Sequence, residues 1–327
     1  MRISRLLAST FAALLVAGVA QAAIQDNVLR TFNVAEGGTL TLEADLGDVT
    51  ITSGGTGVEI DIARQAKARS KSDADEIFAD HELTFDQQGN DVHVRSKFKG
   101  RETNWFRWTT PLQLRYTIRV PARYNLNVAT SGGDLEVGDI AGTVDCRTSG
   151  GDVKLGRVNG SVNARTSGGD LTLRSSTGPA KLSTSGGSID IDDAGATVDA
   201  KTSGGSIDIR RTGGSVVART SGGGIRIGAA GGAIDAVTSG GSIDAAFGQQ
   251  PQTESRLSTS GGGVTVSIGP AVAVDLDAHT SGGGINSDMP VTVLGTQDES
   301  TLVGKINGGG PKLVVRTSGG GIRVKKM

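Results

Sequence analysis

The chain has 327 residues, a formal net charge of −1 and only 3% aromatics, a balance that recruits neither nucleic acid nor an anionic membrane. Glycine, at 51 residues, is about double its usual share of roughly 7%, yet the apolar residues are strictly patterned, which excludes a disordered chain. Cys146 is the single cysteine, which excludes an internal disulfide framework.

Residues 1–22 have the form of a secretory signal peptide: Arg2 and Arg5, an apolar run from Leu6 to Ala20, then the small-residue site Ala20-Gln21-Ala22. No cysteine follows the run to take a lipid, and no later apolar stretch approaches the roughly 18 residues of a membrane helix. The expected product is therefore exported by a cleavable signal peptide, periplasmic or secreted to the cell surface, without a stable membrane anchor.

Residues 23–62 read as the first coil of a repeat. Leu40 to Ile51 overlays Val216 to Ile227 without a gap, and Val58, Ile60 and Ile62 continue onto Ile234, Ala236 and Thr238. Residues 63–111 have no counterpart in the repeat and read as an insertion projecting from one coil. Within it, Ser72 or Asp73 can cap a short helix with Ala74, Ile77 and Phe78 on its apolar face. Leu83, Phe85, Val92 and Val94 alternate around Gln87 to Asp91 as a hairpin.

Residues 112–327 read as a regular solenoid with irregular C-terminal coils. Thr130, Thr148, Thr166, Thr184, Thr202, Thr220 and Thr238 each open a Thr-Ser-Gly-Gly at a spacing of 18 residues, and a fixed period this short means a solenoid. Alternating runs such as Leu135, Val137 and Val144, Cys146, Thr148 bury one face each. The expected fold is all-β, a single-stranded parallel β-helix with 18-residue coils on two faces of a flattened tube. About eleven coils would make a rod on the order of 50 Å long. Glycines at the corners serve positive φ or close stacking of coils. The threonines point inward, where their hydroxyls can pair from coil to coil as a structural ladder. Cys146 shares its repeat position with Ala164 and Ala200 and reads as buried filler. Phe247 to Ser255 and Asn286 to Gly304 lengthen two turns, and Lys325-Lys326 closes the chain as a charged edge.

The tandem Ser-Gly-Gly-Asp/Ser units, Ile118-Arg119-Val120-Pro121-Ala122, Lys305-Ile306-Asn307-Gly308-Gly309-Gly310-Pro311 and the closing Thr-Ser-Gly-Gly-Gly-Ile resemble the bacterial "putative adhesin" family of exported β-strand-repeat domains. The resemblance spans essentially the whole mature chain. It implies a right-handed β-solenoid of the cell envelope and carries over no catalytic motif or cofactor.

Asp134, Asp152 and Asp170 stack in one column, a good turn position, with Arg147 and Arg165 across the corner to offset their charge. Gly187-Ser188-Ile189-Asp190 lacks the Gly-Gly-x-Gly-x-Asp order of calcium-binding repeats. The outward column Glu136, Lys154, Thr172, Asp190, Asp208, Arg226, Asp244 is a mixed, solvated face rather than a convergent acid–base pair. His81, His93 and His279 have no metal-ligand spacing. Inward-facing threonines also set aside an ice-binding array. No catalytic residue, metal or cofactor is expected. Trp105, Phe106, Arg107 and Trp108, with Arg101 nearby, form the one aromatic-rich stretch and the candidate binding surface, since rings with arginine suit a glycan, a membrane interface or a protein partner. The expected role is a non-enzymatic envelope solenoid binding a protein or glycan of the cell envelope or surface. The alternative is a periplasmic structural or stress-sensing component acting through a protein partner.

Overall fold

The computed structural model describes residues 23–99, 111–294 and 298–327. Over them the alternating runs form strands in two long sheets of 15 strands each, with one helix. In the middle of the molecule both sheets are parallel and pair residue i with residue i+18. One inner column runs Leu126, Val144, Val162, Ala180, Val198, Val216. The facing column runs Leu135, Val153, Leu171, Ile189, Ile207, Ile225. All of these side chains are buried, and each large one contributes about 1.5–3 kcal/mol by leaving water. The solenoid with 18-residue coils is thus the fold. Cys146 is filler as expected, fully buried between Val128 and Ala164.

The tube has more than two inner columns. After the first three residues of each strand in the second sheet the chain bends, and Val158, Ser176, Ala194, Thr212 and Ala230 stack as a third buried column at the same offset of 18.

The N-terminal end is built in chain order from β1 (Ala23–Phe32), β2 (Thr39–Ala44), β3 (Asp48–Ser53), β4 (Val58–Lys67), α1 (Lys71–Ala79), β5 (His81–Gln88), β6 (Asp91–Phe98) and β7 (Leu112–Val120). β2 and β3 are the first coil, stacked directly on β8 (Asn125–Thr130) and β9 (Leu135–Val137). The segment expected to project from this coil instead lengthens both sheets beyond it. β6 lies parallel to β2 with β5 as an antiparallel edge, while β7 lies parallel to β3 and then turns the second sheet antiparallel through β4 and β1. The expected continuation of Val58, Ile60 and Ile62 onto the column of Ile234 and Ala236 is therefore corrected, because β4 joins the other sheet in the opposite direction. Its alternation buries the same residues in either place. The hairpin forms as expected around Gly89 and Asn90, with Gly89 at φ 62°. Ser70, not Ser72 or Asp73, caps the helix by accepting the Asp73 amide at 3.1 Å, and Ala74 is its buried residue.

At the C-terminal end the stacking order departs from chain order. The strand Lys312–Thr317 lies between Ser255–Thr259 and Val274–Thr280, and Ile322–Lys326 lies between Val264–Ile268 and Ile285–Ser287. The last coil is inserted between two earlier ones. Lys325 and Lys326 consequently continue an interior strand, paired with Ser267 and Ile268 on one side and running past Ser287 on the other, and the strand that bears them is not the outermost one expected. Ile285–Ser287 and Thr292–Val293 hold that position. With strands roughly 4.8 Å apart the whole stack is about 60 Å long, longer than the repeat alone because the N-terminal segment joins it.

Candidate functional site

Arg101, Trp105, Phe106, Arg107 and Trp108 lie outside the described residues, as do residues 1–22. The other predicted set, the threonines at positions 130, 148, 166, 184, 202, 220 and 238, is brought together as one buried column, none more than 7% exposed. Their hydroxyls do not pair with one another. Thr148 donates to the carbonyl of Gly133 at 2.9 Å, Thr166 to Gly151 at 2.8 Å and Thr184 to Gly169 at 2.9 Å, each reaching the corner of the preceding coil. Each also accepts the amide of the second glycine in its own corner, as Thr148 does from Gly151 at 3.4 Å. The reason is that a corner leaves backbone groups outside both sheet ladders, and buried backbone groups must find partners.

The second glycine of each corner is required by this stacking. A Cβ on Gly151 would stand 2.2 Å from the Gly133 carbonyl oxygen, whereas one on Gly150 would meet nothing nearer than 3.9 Å. The aspartate column completes the corner. Asp134 accepts the amide of Asp152 at 2.8 Å, Asp152 that of Asp170 at 2.8 Å, and Asp170 that of Ser188 at 2.7 Å. Arg147 does not offset these carboxylates; it pairs with Asp145 at 3.4 Å. Ion pairs elsewhere join successive coils, Arg157 to Asp139 at 3.0 Å and Arg211 to Asp193 at 2.8 Å. In the outward column, burial first and then Asp208, Asp170 and Asp192 raise the Asp190 carboxyl above its ordinary value.

The most displaced titratable groups are in the core. His81 Nε2 lies 2.7 Å from Ser96 Oγ, which lies 2.5 Å from Tyr116 Oη, a polar thread crossing the tube from one sheet to the other. Burial, reinforced by Arg64 and opposed by Asp45, lowers the His81 pKa to about 4. Burial likewise raises the Tyr116 hydroxyl to about 12, despite the Ser96 bond, and the Cys146 thiol to about 12. Burial and then Asp91 raise the Tyr124 hydroxyl, which donates to the Asn90 carbonyl, to about 12 as well. None of the four lines the cleft near the N-terminal end.

A cleft of about 600 Å³ opens on the outer side of the second sheet near its N-terminal end. It arises from a register mismatch. Asp48 opens β3 opposite Arg115, whereas β7 begins at Leu112, so β7, β4 and β1 overhang the corner formed by Gly47 and by Gly132-Gly133. Gly47 makes that corner at φ 106°, a region open mainly to glycine. On the overhang Gln25, Gln65 and Gln113 are paired in one row across three strands. The next row holds Asn27, Ala63, Arg115 and Asp48. The side chains of Gln25, Asn27, Gln65, Gln113 and Arg115 make no hydrogen bond or ion pair with any described residue. Arg115 does not bridge Asp48 although their backbones are paired; one Asp48 oxygen accepts the Asp134 amide at 3.2 Å. A groove of about 630 Å³ on the other sheet differs in that both of its carboxylates are engaged, Asp145 with Arg147 and Asp199 with Lys201 at 2.9 Å, leaving Lys181 as its one charged side chain unpaired among the described residues.

The model of the Toastrack DUF4097 family matches residues 38–325. The chain belongs to this family. A comparison with curated proteins finds none similar in sequence. Among solved structures, the Toastrack chain is similar to a "putative cell adhesion protein" from Clostridium sporogenes, with 10% identity, 94% of this chain and 100% of that chain covered, and a TM-score of 0.27. It is also similar to a "putative adhesin" from Bacteroides fragilis, with 13% identity, 92% and 97% covered and a TM-score of 0.29. A "putative lipid binding protein" from Parabacteroides distasonis has 13% identity, 92% and 97% covered and a TM-score of 0.33. Likeness at this level says nothing of a ligand. Among the described residues of the Toastrack chain, no helix is long and apolar enough to cross a membrane, and no group of three or more His, Cys, Asp or Glu is placed to hold a metal ion. Sequence reasoning missed the cleft. Its only sequence signal is glutamine or asparagine at alternate positions of β1, which acquires meaning once Gln65 and Gln113 are known to lie beside Gln25.

Proposed function

We propose that the protein is a non-enzymatic β-solenoid of the cell envelope that presents a binding surface, in the manner of an adhesin. The observation that carries this reading is the contrast in how polar side chains are used. Along the coils, the corner threonines and aspartates and arginines such as Arg157, Arg211 and Arg226 hold one coil to the next, and those groups are not free to bind anything else. At the N-terminal overhang five polar side chains converge on one cleft without partners, the arrangement of a recognition site. The groups with strongly displaced pKa values, His81, Tyr116, Tyr124 and Cys146, are buried and do not line that cleft, which favours binding over acid–base chemistry. Export by residues 1–22 is part of the proposal. Protease shaving of intact cells should remove the protein, and crosslinking on those cells should capture a surface component. Full protection from protease, with the protein recovered only from the periplasm, would count against the adhesin role and favour the periplasmic alternative.

A further inference from the structure

We infer that the cleft under the β1–β4–β7 overhang is a binding site for a neutral, hydroxyl-rich oligosaccharide. The inference rests on the binding-surface reading above and names its ligand class. A carboxamide presents a donor and an acceptor side by side in one plane, which matches two neighbouring hydroxyls of a sugar ring. Gln25, Gln65 and Gln113 repeat that pattern on three adjacent strands, a span of about 10 Å at normal strand spacing and close to the length of a disaccharide. In the second row, Asn27 supplies another amide and Arg115 a planar set of donors opposite the Asp48 carboxylate. Ala63 lies between them and leaves room for a ring to lie flat.

Charge and polarity exclude other occupants. Arg115 is balanced by Asp48, and Arg64, the other arginine of the lining, is paired with Asp26, so the cleft has no excess positive charge with which to select a phosphate or sulfate. A peptide partner would be anchored by apolar or aromatic side chains in a desolvated pocket, whereas the leucines of this lining are buried (Leu112, Leu114) or half-buried (Leu46) and its exposed side chains other than Ala63 are polar. The half-buried Gln65 amide, once covered by a ligand, discriminates against one that lacks a hydroxyl to meet it.

The test titrates the full mature chain by calorimetry with maltohexaose, cellohexaose, mannohexaose and xylohexaose, and with a galacturonate hexamer as the charged probe. At least one neutral hexasaccharide should bind, and more tightly than the charged one. Gln65→Ala and Gln113→Ala should each weaken that binding about five- to tenfold, the effect of one hydrogen bond. Gly132→Leu should abolish it at an unchanged melting temperature, because a Cβ at Gly132 has nothing within 4 Å and the side chain would occupy the cleft. Thr172→Ala, in the outward column along the rod, should leave it unchanged. Failure of all four neutral probes, preference for the charged one, or binding that survives Gly132→Leu would overturn the inference. If Gly132→Leu proves unstable, unchanged affinity in the Gln65→Ala, Gln113→Ala double variant overturns it equally. Cell-surface attachment that persists in a folded Gly132→Leu variant removes the cleft while sparing the broader reading, whereas absence of attachment by the unaltered protein removes that reading.

Discussion

The Thr202 hydroxyl donates to the carbonyl oxygen of Gly187, one coil earlier, at 2.7 Å, and accepts the amide of Gly205 in its own corner at 3.4 Å. One side chain thus serves two backbone groups that neither sheet can reach. Thr202→Val keeps the volume and strands both, so it should cost about 1–3 kcal/mol. Thr202→Ser should recover most of the loss, and Ser203→Ala on the exposed side of the same corner should stay within about 0.5 kcal/mol. Urea denaturation of the three variants checks the order.

The two glycines of a corner should differ sharply. Gly151→Ala drives a methyl group against the Gly133 carbonyl oxygen at 2.2 Å, while Gly150→Ala enters space whose nearest atom is 3.9 Å away. The first should lower stability by at least about 2 kcal/mol by prising two coils apart, and the second should have little effect. Similar melting of both variants would mean that the corners are not stacked at this distance.

The polar thread through His81 makes the N-terminal end sensitive to acid. Its folded pKa of about 4 lies below the ordinary 6.5, so between these values the unfolded chain binds the extra proton. Stability from this group is fully present above about pH 6.5 and is lost as the pH falls toward 4, by roughly 2 kcal/mol. His81→Gln removes that proton site, and its melting temperature should fall less than that of the unaltered protein between pH 7 and pH 4.5. Parallel pH profiles would exclude His81 as the source.

Cys146 offers a direct reading of core integrity. Fully buried, with its thiol pushed up to about 12, it should resist a thiol reagent at pH 8 in the native protein and react at once in denaturant. Rapid native labelling would show that the coils around Val128 and Ala164 open readily.

The period itself predicts how the rod tolerates deletion. Removing residues 152–169 takes out one coil and returns every column to register, because each coil contacts only its neighbours. The product should be a shorter, cooperatively folding rod. Removing 17 of these residues turns the alternation over and should yield aggregate, as solubility and thermal melting would report.

The regular coils were legible in the sequence because the offset of 18 carries Leu135 onto Val153 and Val144 onto Val162 by arithmetic alone. The third column was equally spaced, from Val158 to Ala230, yet Ser176 and Thr212 within it disguised an inward face. Alternation does not reveal strand direction, so Val58, Ile60 and Ile62 fitted a parallel coil as well as the antiparallel β4 that they form. The cleft depends on how far β7 overruns β3, a property of register between segments distant in the chain. The threonines were read correctly as inward, but their carbonyl partners depend on the path of the corner rather than on spacing.

The interleaved C-terminus has a consequence for the order of assembly. A chain emerging from its N-terminus can add coils one after another as far as Ile268, but Val274–Thr280 cannot take its final place against its neighbour until Lys312–Thr317 has been made and has slid between them. Residues 312–326 therefore act as a clasp, and closure waits until they have been made. A product truncated before residue 312 would be left with two coils that have lost their common neighbour, and so with a sticky growing end. Conversely, in the finished molecule the last-made coil is not the outermost layer, so unravelling from this side begins with Thr292–Val293 and Ile285–Ser287 and reaches the terminal strands only afterwards.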